Sequence, residues 1–190
     1  MEILLLLVLI LLNGLFAMSE IALVTAKRSR LARLADDGDK SAATAMKLGE
    51  DSTRFLSTIQ IGITSIGILN GIVGEGALAQ PFAFHLQSLG VDSETAHLTA
   101  TIVVVLGITY ISIVVGELVP KRLGQLNPEQ IARLVARPMQ TLASMTRPFV
   151  RLLSFSTHTL LRLMGVKPQT TPSVTEEEIH AMLEEGSEAG

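Results

Sequence analysis

The sequence contains no cysteine, and this absence excludes disulfide bonds, thiolate metal sites and cysteine nucleophiles. Charged residues make up only 17% of its 190 residues, against roughly 25% in a typical soluble domain. The four histidines include no pair with metal-ligand spacing, and no arrangement of serine, histidine and acid indicates catalysis. We therefore do not expect an enzyme, and we expect no nucleic-acid partner.

Apolar residues form 48% of the chain and lie in blocks. Three blocks, at residues 3–26, about 56–80 and 98–119, each reach the ~20 residues needed to cross ~30 Å of hydrocarbon. The first block follows a Met-Glu start without basic residues. It is longer than the ~7–15 apolar residues of a signal peptide, so we interpret it as a retained span. The blocks predict an all-α integral membrane protein with three transmembrane helices.

Basic residues are missing from the middle of the chain. All fifteen lysines and arginines lie between Lys27 and Arg54 or between Lys121 and Lys167. Basic stretches stay on the cytoplasmic side of a membrane protein, so the connection between the second and third spans is predicted to lie outside. We expect a multi-pass protein of the plasma or inner membrane, with its N-terminus outside and its C-terminus in the cytoplasm.

The segments beside the spans are predicted to be helical as well. Residues 27–54 indicate two juxtamembrane helices broken at the Asp-Asp-Gly sequence of residues 36–38. Basic residues interrupt residues 128–166, which favours an amphipathic helix at the lipid boundary over a fourth span. Pro138 and Pro148 should bend this helix into a kinked cytoplasmic belt. The acidic residues 168–190 are typical of the start of a cytoplasmic linker.

Polar side chains at membrane depth are costly and are therefore functional candidates. They are Asn13, Ser19 and Glu20 in the first span, Gln60, Thr64, Ser65, Asn70 and Glu75 in the second, and Thr109, Tyr110, Ser112 and Glu117 in the third. Most of them offer hard oxygen donors, which suit Mg²⁺, Ca²⁺ or Na⁺. Other roles stay open: Gly67 and Gly71 suit close helix packing, Glu20 could pair with a basic residue, and Glu75 could be solvated.

Glu117 stands three residues before Pro120, in the sequence GELVPKRLGQ. Proline lacks the N–H that would bond the Gly116 carbonyl and disfavours helix before it. This pattern predicts a broken helix that presents oxygen atoms to an ion; the alternative is a simple pair between Glu117 and Lys121. Asn70 lies ~24 Å along a straight helix from Arg54. It should therefore join Glu117 only if the second span is unwound.

Three stretches together resemble one family: LNGLFAMSEIALVTAKRSRL (residues 12–31), FLSTIQIGITSIGILNGIVGE (55–75) and GELVPKRLG (116–124). They resemble the transmembrane domain of the cyclin M (CNNM)/CorC magnesium transporters, over roughly residues 1–167. The resemblance implies a homodimer that holds one dehydrated Mg²⁺ per protomer and exports it in exchange for Na⁺. It also implies a cytoplasmic CBS-pair domain after residues 168–190.

By motif matching, the resemblance assigns the ion site to Ser19, Ser65, Asn70, Gly116 and Glu117. One carboxylate would act with several neutral oxygens, because Mg²⁺ requires six oxygen ligands near octahedral geometry. The alternative is a Mg²⁺-sensing or scaffolding membrane module that binds the ion without transporting it. Both functions require the same site, so the sequence does not separate them.

Overall fold

The computed structural model describes residues 1–166, and every regular segment within that range is helical. In chain order the α-helices are α1 (Glu2–Thr25), α2 (Arg28–Asp36), α3 (Lys40–Glu50), α4 (Ser52–Gly74), α5 (Gln80–Ser88), α6 (Ser93–Ile113), α7 (Val119–Leu126), α8 (Pro128–Met145) and α9 (Arg147–Leu163). Short π-helical segments at Glu75–Ala79 and Val114–Leu118 join α4 to α5 and α6 to α7. The predicted linker at residues 168–190 lies outside the described residues.

Three helices in the described part of the chain are long and apolar enough to cross a membrane. They are α1, the continuous helix Ser52–Ser88 and the continuous helix Ser93–Leu126. The prediction of an all-α protein with three membrane helices is confirmed. The second of these helices extends past its apolar block to Ser88, and the third begins before its block at Ser93. A turn at Gly90, whose φ is +94°, separates the two helices. After this turn Asp92 caps α6 by accepting a hydrogen bond from the Thr95 N–H.

The prediction that Pro120 breaks the third membrane helix is wrong. Pro120 lies in the first turn of α7, two residues after the π-helical segment Val114–Leu118, and the helix continues to Leu126. A wider π-turn accommodates the missing N–H, because the hydrogen-bond spacing shifts locally instead of ending. Pro81 likewise follows the π-helical segment Glu75–Ala79 by two residues.

The first membrane helix, α1, packs against both α4 and α7. Small residues allow the close approach to α7. A methyl group added at Gly14 would lie 2.8 Å from Pro120 Cγ, and one at Gly124 would lie 2.9 Å from the Met18 carbonyl oxygen. Most residues of the third helix, Ser93–Leu126, are exposed or only partly buried. The three helices therefore leave space between α1, α4 and α6.

Of the helices beside the spans, α3 and α8 contact α1, and α2 packs on α3. The helices α2 and α3 are separated by a turn at Gly38, whose φ is +96°. Asp39 then caps α3 by accepting hydrogen bonds from the backbone N–H groups of Ser41 and Ala42. The same carboxylate forms an ion pair with Arg133 of α8. Asp39 therefore fixes the start of α3 and joins that helix to α8.

The region of the predicted belt forms two helices that meet at Thr146. Pro138 lies inside α8 and does not end it, whereas α9 begins with Arg147 and Pro148. The chain divides into two units after Val150. The described part of the second unit, residues 151–166, consists of the rest of α9 and a turn at Gly165 with φ +73°. Its apolar side chains, including Phe155 and Leu163, are exposed.

Candidate ion-binding cavity

A cavity of about 260 Å³ lies between the three membrane helices. Its lining residues are Asn13 of α1, Ile63, Gly67, Asn70 and Gly71 of α4, Val104, Val105, Ile108, Thr109, Ser112 and Ile113 of α6, and the two carboxylates Glu75 and Glu117. Both carboxylates belong to π-helical segments, and such segments are frequent at functional sites. The cavity is thus mainly apolar, with amide, hydroxyl and carboxylate oxygens at a few positions.

The helix contacts show how distant residues reach this cavity. A methyl group added at Gly74 would meet Ile108 and Leu6, and one added at Gly116 would meet Ile10 and Asn13. Because one helical turn spans about four residues, Asn70 lies near the level of Ser112 and Gly116. The second span is a regular α-helix through Gly74, so unwinding is not required for Asn70 and Glu117 to share the cavity.

Two buried oxygen atoms of the cavity lack a partner. Asn70 is 4% exposed, and neither its Oδ1 nor Ser112 Oγ has a hydrogen-bond partner among the described residues. A buried polar atom without a partner costs about 1–3 kcal/mol of stability. Such atoms require an explanation, for which a bound ion or water is a common one.

Asn13 connects the first and third membrane helices beside these atoms. Its Nδ2 donates a hydrogen bond to the Gly116 carbonyl oxygen at 2.9 Å, and Asn13 is 8% exposed. In a regular α-helix the Gly116 carbonyl would accept from the backbone N–H of residue 120, which Pro120 lacks. A carbonyl oxygen has two lone pairs, so Gly116 retains one acceptor position after bonding Asn13.

Glu117 forms the ion pair that the sequence left open as an alternative. Lys121 Nζ lies 3.0 Å from Glu117 Oε1 and 3.5 Å from Glu20 Oε2. All three side chains are partly exposed, so solvent weakens these attractions. The ammonium group is shared between two carboxylates, which leaves this end of the cavity with a net negative charge.

Glu75, at another part of the cavity wall, has a different environment. Both of its carboxylate oxygens lie 3.2 Å from the Thr101 hydroxyl. No lysine, arginine or histidine within residues 1–166 forms a salt bridge with it. Glu75 therefore offers a carboxylate in a membrane helix that lacks a cationic partner in the described part of the chain.

The five residues assigned by motif matching fall into two groups. Asn70 and Glu117 line the cavity, and the Gly116 carbonyl adjoins it through Asn13. Ser19 is fully buried, but its Oγ donates to the Leu15 carbonyl at 2.7 Å and it does not line the cavity. Ser65 is exposed on another face of α4.

Motif matching did not include several residues that line the cavity. Asn13, Glu75, Thr109 and Ser112 all do so. Their common signal is a polar side chain at membrane depth, which the sequence displays without showing how the helices are rotated. Gly67 and Gly71 also line the cavity, and a methyl group at either would meet nothing within 4 Å. They widen the cavity and do not mediate close packing among residues 1–166.

The donor set restricts the kinds of cation that fit. Among the residues that the structure describes, no three histidine, aspartate or glutamate side chains converge on one point. A cation in the cavity would therefore have at most two carboxylates, Glu75 and Glu117, and would rely on neutral oxygens for its other ligands. Such a set of hard oxygens suits Mg²⁺, Ca²⁺ or Na⁺.

Comparison with known proteins assigns the chain to a family. The family model described as the cyclin M transmembrane N-terminal domain, CNNM, matches residues 4–190. The chain belongs to the CNNM family. The resemblance drawn from the three sequence motifs is therefore confirmed.

Relatives of this CNNM domain occur in several bacteria. A UPF0053 protein of Synechocystis sp. is 44% identical over 190 residues, which cover 100% of this chain and 42% of the relative. The UPF0053 protein YhdT of Bacillus subtilis is 34% identical over 185 residues, covering 96% of this chain and 40% of the relative. The polyamine export protein of Escherichia coli strain K12 is 31% identical over 189 residues, which cover 100% of this chain and 42% of the relative. The chain thus spans about two-fifths of the length of these relatives.

Proposed function

We propose that this CNNM domain transports Mg²⁺ across the membrane and exports it in exchange for Na⁺. The observation that carries the proposal is the cavity between the three membrane helices, where two buried oxygens lack a partner beside a carboxylate. Asn70 Oδ1, Ser112 Oγ and the Glu117 carboxylate would supply ligands to the ion, with the Gly116 carbonyl nearby. Hard oxygens of this kind match the preference of Mg²⁺.

Ser19 and Ser65 remain part of the proposal but lie outside the cavity in this structure. For Ser19 to bind the same ion, α1 would have to rotate. A rotation of α4 that brought Ser65 to the ion would turn Asn70 away from it, because the two residues lie about 140° apart around the helix. Movements of packed helices around a fixed site are the usual basis of alternating access in transporters. Loss of one or two oxygen ligands during such a movement would release the ion.

The charges around the cavity support exchange between two cations. An arriving cation must share Glu117 with Lys121 or displace the ammonium group, which can stay with Glu20 3.5 Å away. Glu75 offers a second carboxylate, bonded to the Thr101 hydroxyl. Two carboxylates in one cavity allow two cations to compete for the neutral oxygens between them.

The proposed assembly is a homodimer in the lipid bilayer, with a cytoplasmic CBS-pair domain in the whole protein. The exposed apolar surface of the helix Ser93–Leu126 supports a lipid or protein covering, because water would solvate such a surface poorly. The excess of lysine and arginine at the predicted cytoplasmic segments supports an N-terminus outside the cell. The belt region, residues 128–166, would lie along the inner leaflet.

Liposomes test the transport proposal. We expect purified protein to move Mg²⁺ when a Na⁺ gradient is imposed, with flux reported by a trapped Mg²⁺ indicator. The variant Glu117→Gln should lower flux about tenfold or more, since it removes the charged ligand. The matched control Glu94→Gln removes a carboxylate from an exposed position on α6 and should leave flux unchanged. Mg²⁺ binding without flux would favour the sensing or scaffolding module instead.

A second candidate cargo is a polyamine, because the Escherichia coli relative and one from Salmonella typhimurium, 30% identical over 182 residues, are named polyamine export proteins. The cavity supports this candidate with carboxylates at Glu75 and Glu117 and apolar walls that include Ile63 and Ile108. Two ammonium groups could pair with the carboxylates while methylene groups contact the walls. In the same liposomes, putrescine flux that exceeds Mg²⁺ flux and is lost in Glu75→Gln would favour the polyamine.

A further inference from the structure

A second pocket, separate from the cation cavity, lies at the start of α4. It has a volume of about 330 Å³ and is bordered by the end of α3 and by the junction of α8 and α9. Three cations line it, Lys47, Arg54 and Arg147, together with one carboxylate, Asp51. Three positive charges and one negative charge give a net charge of +2. Leu48 and Phe55, which are both buried, also line it.

The guanidinium group of Arg54 makes one hydrogen bond, and its buried Nε–H has no acceptor in the described part of the chain. Its Nη2 donates to the Ala143 carbonyl at 3.2 Å, and its Nη1 lies 4.0 Å from Asp51 Oδ2. Its Nε is buried and has no hydrogen-bond partner in the described part of the chain. Ala143 belongs to the last turn of α8, where carbonyls lack partners within the helix. Arg54 thus donates a hydrogen bond to a carbonyl at the C-terminal end of α8, while its own buried Nε–H has no acceptor in the described part of the chain.

The other two cations are free to contact a ligand. Lys47 and Arg147 are exposed and line the pocket from α3 and α9. Neither forms a salt bridge with a carboxylate of residues 1–166. The nearest negative charge in the pocket, Asp51, is directed towards Arg54 at the limit of an ion pair. The pocket therefore has more positive charge than its own carboxylate neutralises.

We propose that this pocket binds a phosphate group, carried either by an anionic phospholipid or by a free phosphate compound. Arginine and lysine are the side chains that bind phosphate, arginine through its planar set of donors. The unused Nε of Arg54 would gain an acceptor oxygen, and Lys47 and Arg147 would neutralise the charge. Arg54 also lies where the second membrane helix begins, so the pocket is at the depth of lipid headgroups.

Ligand-dependent stability tests this site on the full chain in detergent. The chain has no tryptophan, so melting is followed by the loss of the monodisperse peak in size exclusion after heating. The probes are inorganic phosphate, short-chain phosphatidylglycerol and phosphatidylcholine of the same chain length. The test variant is the pair Lys47→Gln and Arg147→Gln. The matched control, Lys40→Gln with Arg137→Gln, removes one lysine and one arginine from exposed positions outside the pocket.

We expect phosphatidylglycerol to stabilise the wild type and the control alike. Its half-saturating concentration should rise about thirtyfold in the test variant. Each cation near an anionic headgroup contributes about five- to sixfold in affinity, and the variant lacks two of them. Phosphatidylcholine should stabilise less, since its choline group is repelled. Stabilisation by inorganic phosphate alone, with the same loss in the test variant, identifies a free phosphate compound as the source. If neither phosphate nor phosphatidylglycerol stabilises the wild type, or if the test variant responds like the control, the site does not exist.

Discussion

Asn70 and Ser112 each place an oxygen atom where water is scarce and no protein donor reaches it. Folding gains nothing from such atoms, and each lowers stability by about 1–3 kcal/mol. Glu117 and Lys121, by contrast, satisfy one another at 3.0 Å. Substitutions at these two kinds of residue should therefore have different effects on stability and on cation binding. Asn70 and Ser112 have oxygen atoms without a partner, whereas Glu117 has a partner, Lys121, that a cation must replace.

Ser112→Ala should raise stability and weaken cation binding together. Removing the unpartnered hydroxyl relieves a buried polar group, so we expect unfolding to require about 1 kcal/mol more. Loss of a neutral ligand should lower Mg²⁺ affinity, measured by titration calorimetry. Ser57→Ala is the control, since the Ser57 hydroxyl already donates to the Thr53 carbonyl. Unchanged Mg²⁺ affinity in Ser112→Ala would remove this residue from the site.

Lys121→Met should tighten cation binding. The ammonium group competes with an incoming cation for Glu117, so its removal should raise Mg²⁺ affinity up to about fivefold, the effect of one partly exposed ion pair. Calorimetry on the purified protein measures it. Lys40→Met, at an exposed position away from the cavity, should have no effect. Weaker binding in Lys121→Met would indicate that Lys121 positions the carboxylate and does not compete for it.

Contacts between helices depend on a few capping and small residues. Asp39 serves three groups at once, because it accepts from Ser41 and Ala42 and pairs with Arg133. The backbone N–H of Ala42, followed by that of Ser41 and by the Arg133 guanidinium, holds the pKa of Asp39 below its ordinary value of 3.8. The charged form therefore stabilises the start of α3.

Acid should remove this contribution. Because the folded-state pKa is lowered, the stabilisation is present above the ordinary pKa of 3.8 and is lost as the pH falls through the folded-state value. At neutral pH we expect thermal stability to fall in the order wild type, Asp39→Asn, Asp39→Ala. Asparagine keeps the helix cap but loses the ion pair. The difference between wild type and Asp39→Asn should shrink as the pH falls below 3.8, and a constant difference would contradict the assignment.

Gly124→Ala should loosen the contact between α1 and α7. The added methyl group would meet Ile21 and lie 2.9 Å from the Met18 carbonyl oxygen, so we expect a loss of about 1–3 kcal/mol in unfolding free energy. Gly107→Ala is the control, because a methyl group there meets nothing within 4 Å. It should be neutral or stabilising, since alanine favours helix. Equal effects of the two variants, measured by thermal unfolding, would contradict the close approach.

The whole molecule shows what the sequence could and could not predict. Three membrane helices follow from three apolar blocks, because the length of such a block determines whether it spans the bilayer. The cavity depends on helix rotation, which the blocks do not specify. Ser65 and Asn70 are five residues apart, or about 140° around a regular helix, so they cannot both face one site from α4. The observed rotation brings Asn70 into the cavity and leaves Ser65 exposed.

Cysteine labelling should establish the orientation of the molecule, since the chain has no native cysteine. We expect Glu94→Cys, between the second and third membrane helices, to react with a membrane-impermeant maleimide in intact cells. Lys40→Cys, between the first and second, should react only after the membrane is opened. Both positions are exposed, so a difference in labelling reports the side of the membrane. The reverse pattern would invert the topology drawn from basic residues.

The π-turn ahead of Pro120 also determines where this membrane helix can lose a residue. A π-turn holds one residue more than a regular turn, so deleting one residue from Val114–Leu118 would restore regular winding and leave Lys121 and Gly124 on their present faces. A deletion in a regular part of the same helix would instead rotate every later residue by about 100°. When related chains are aligned, a one-residue gap within this segment is therefore compatible with the same helix packing, whereas a gap elsewhere in the helix is not.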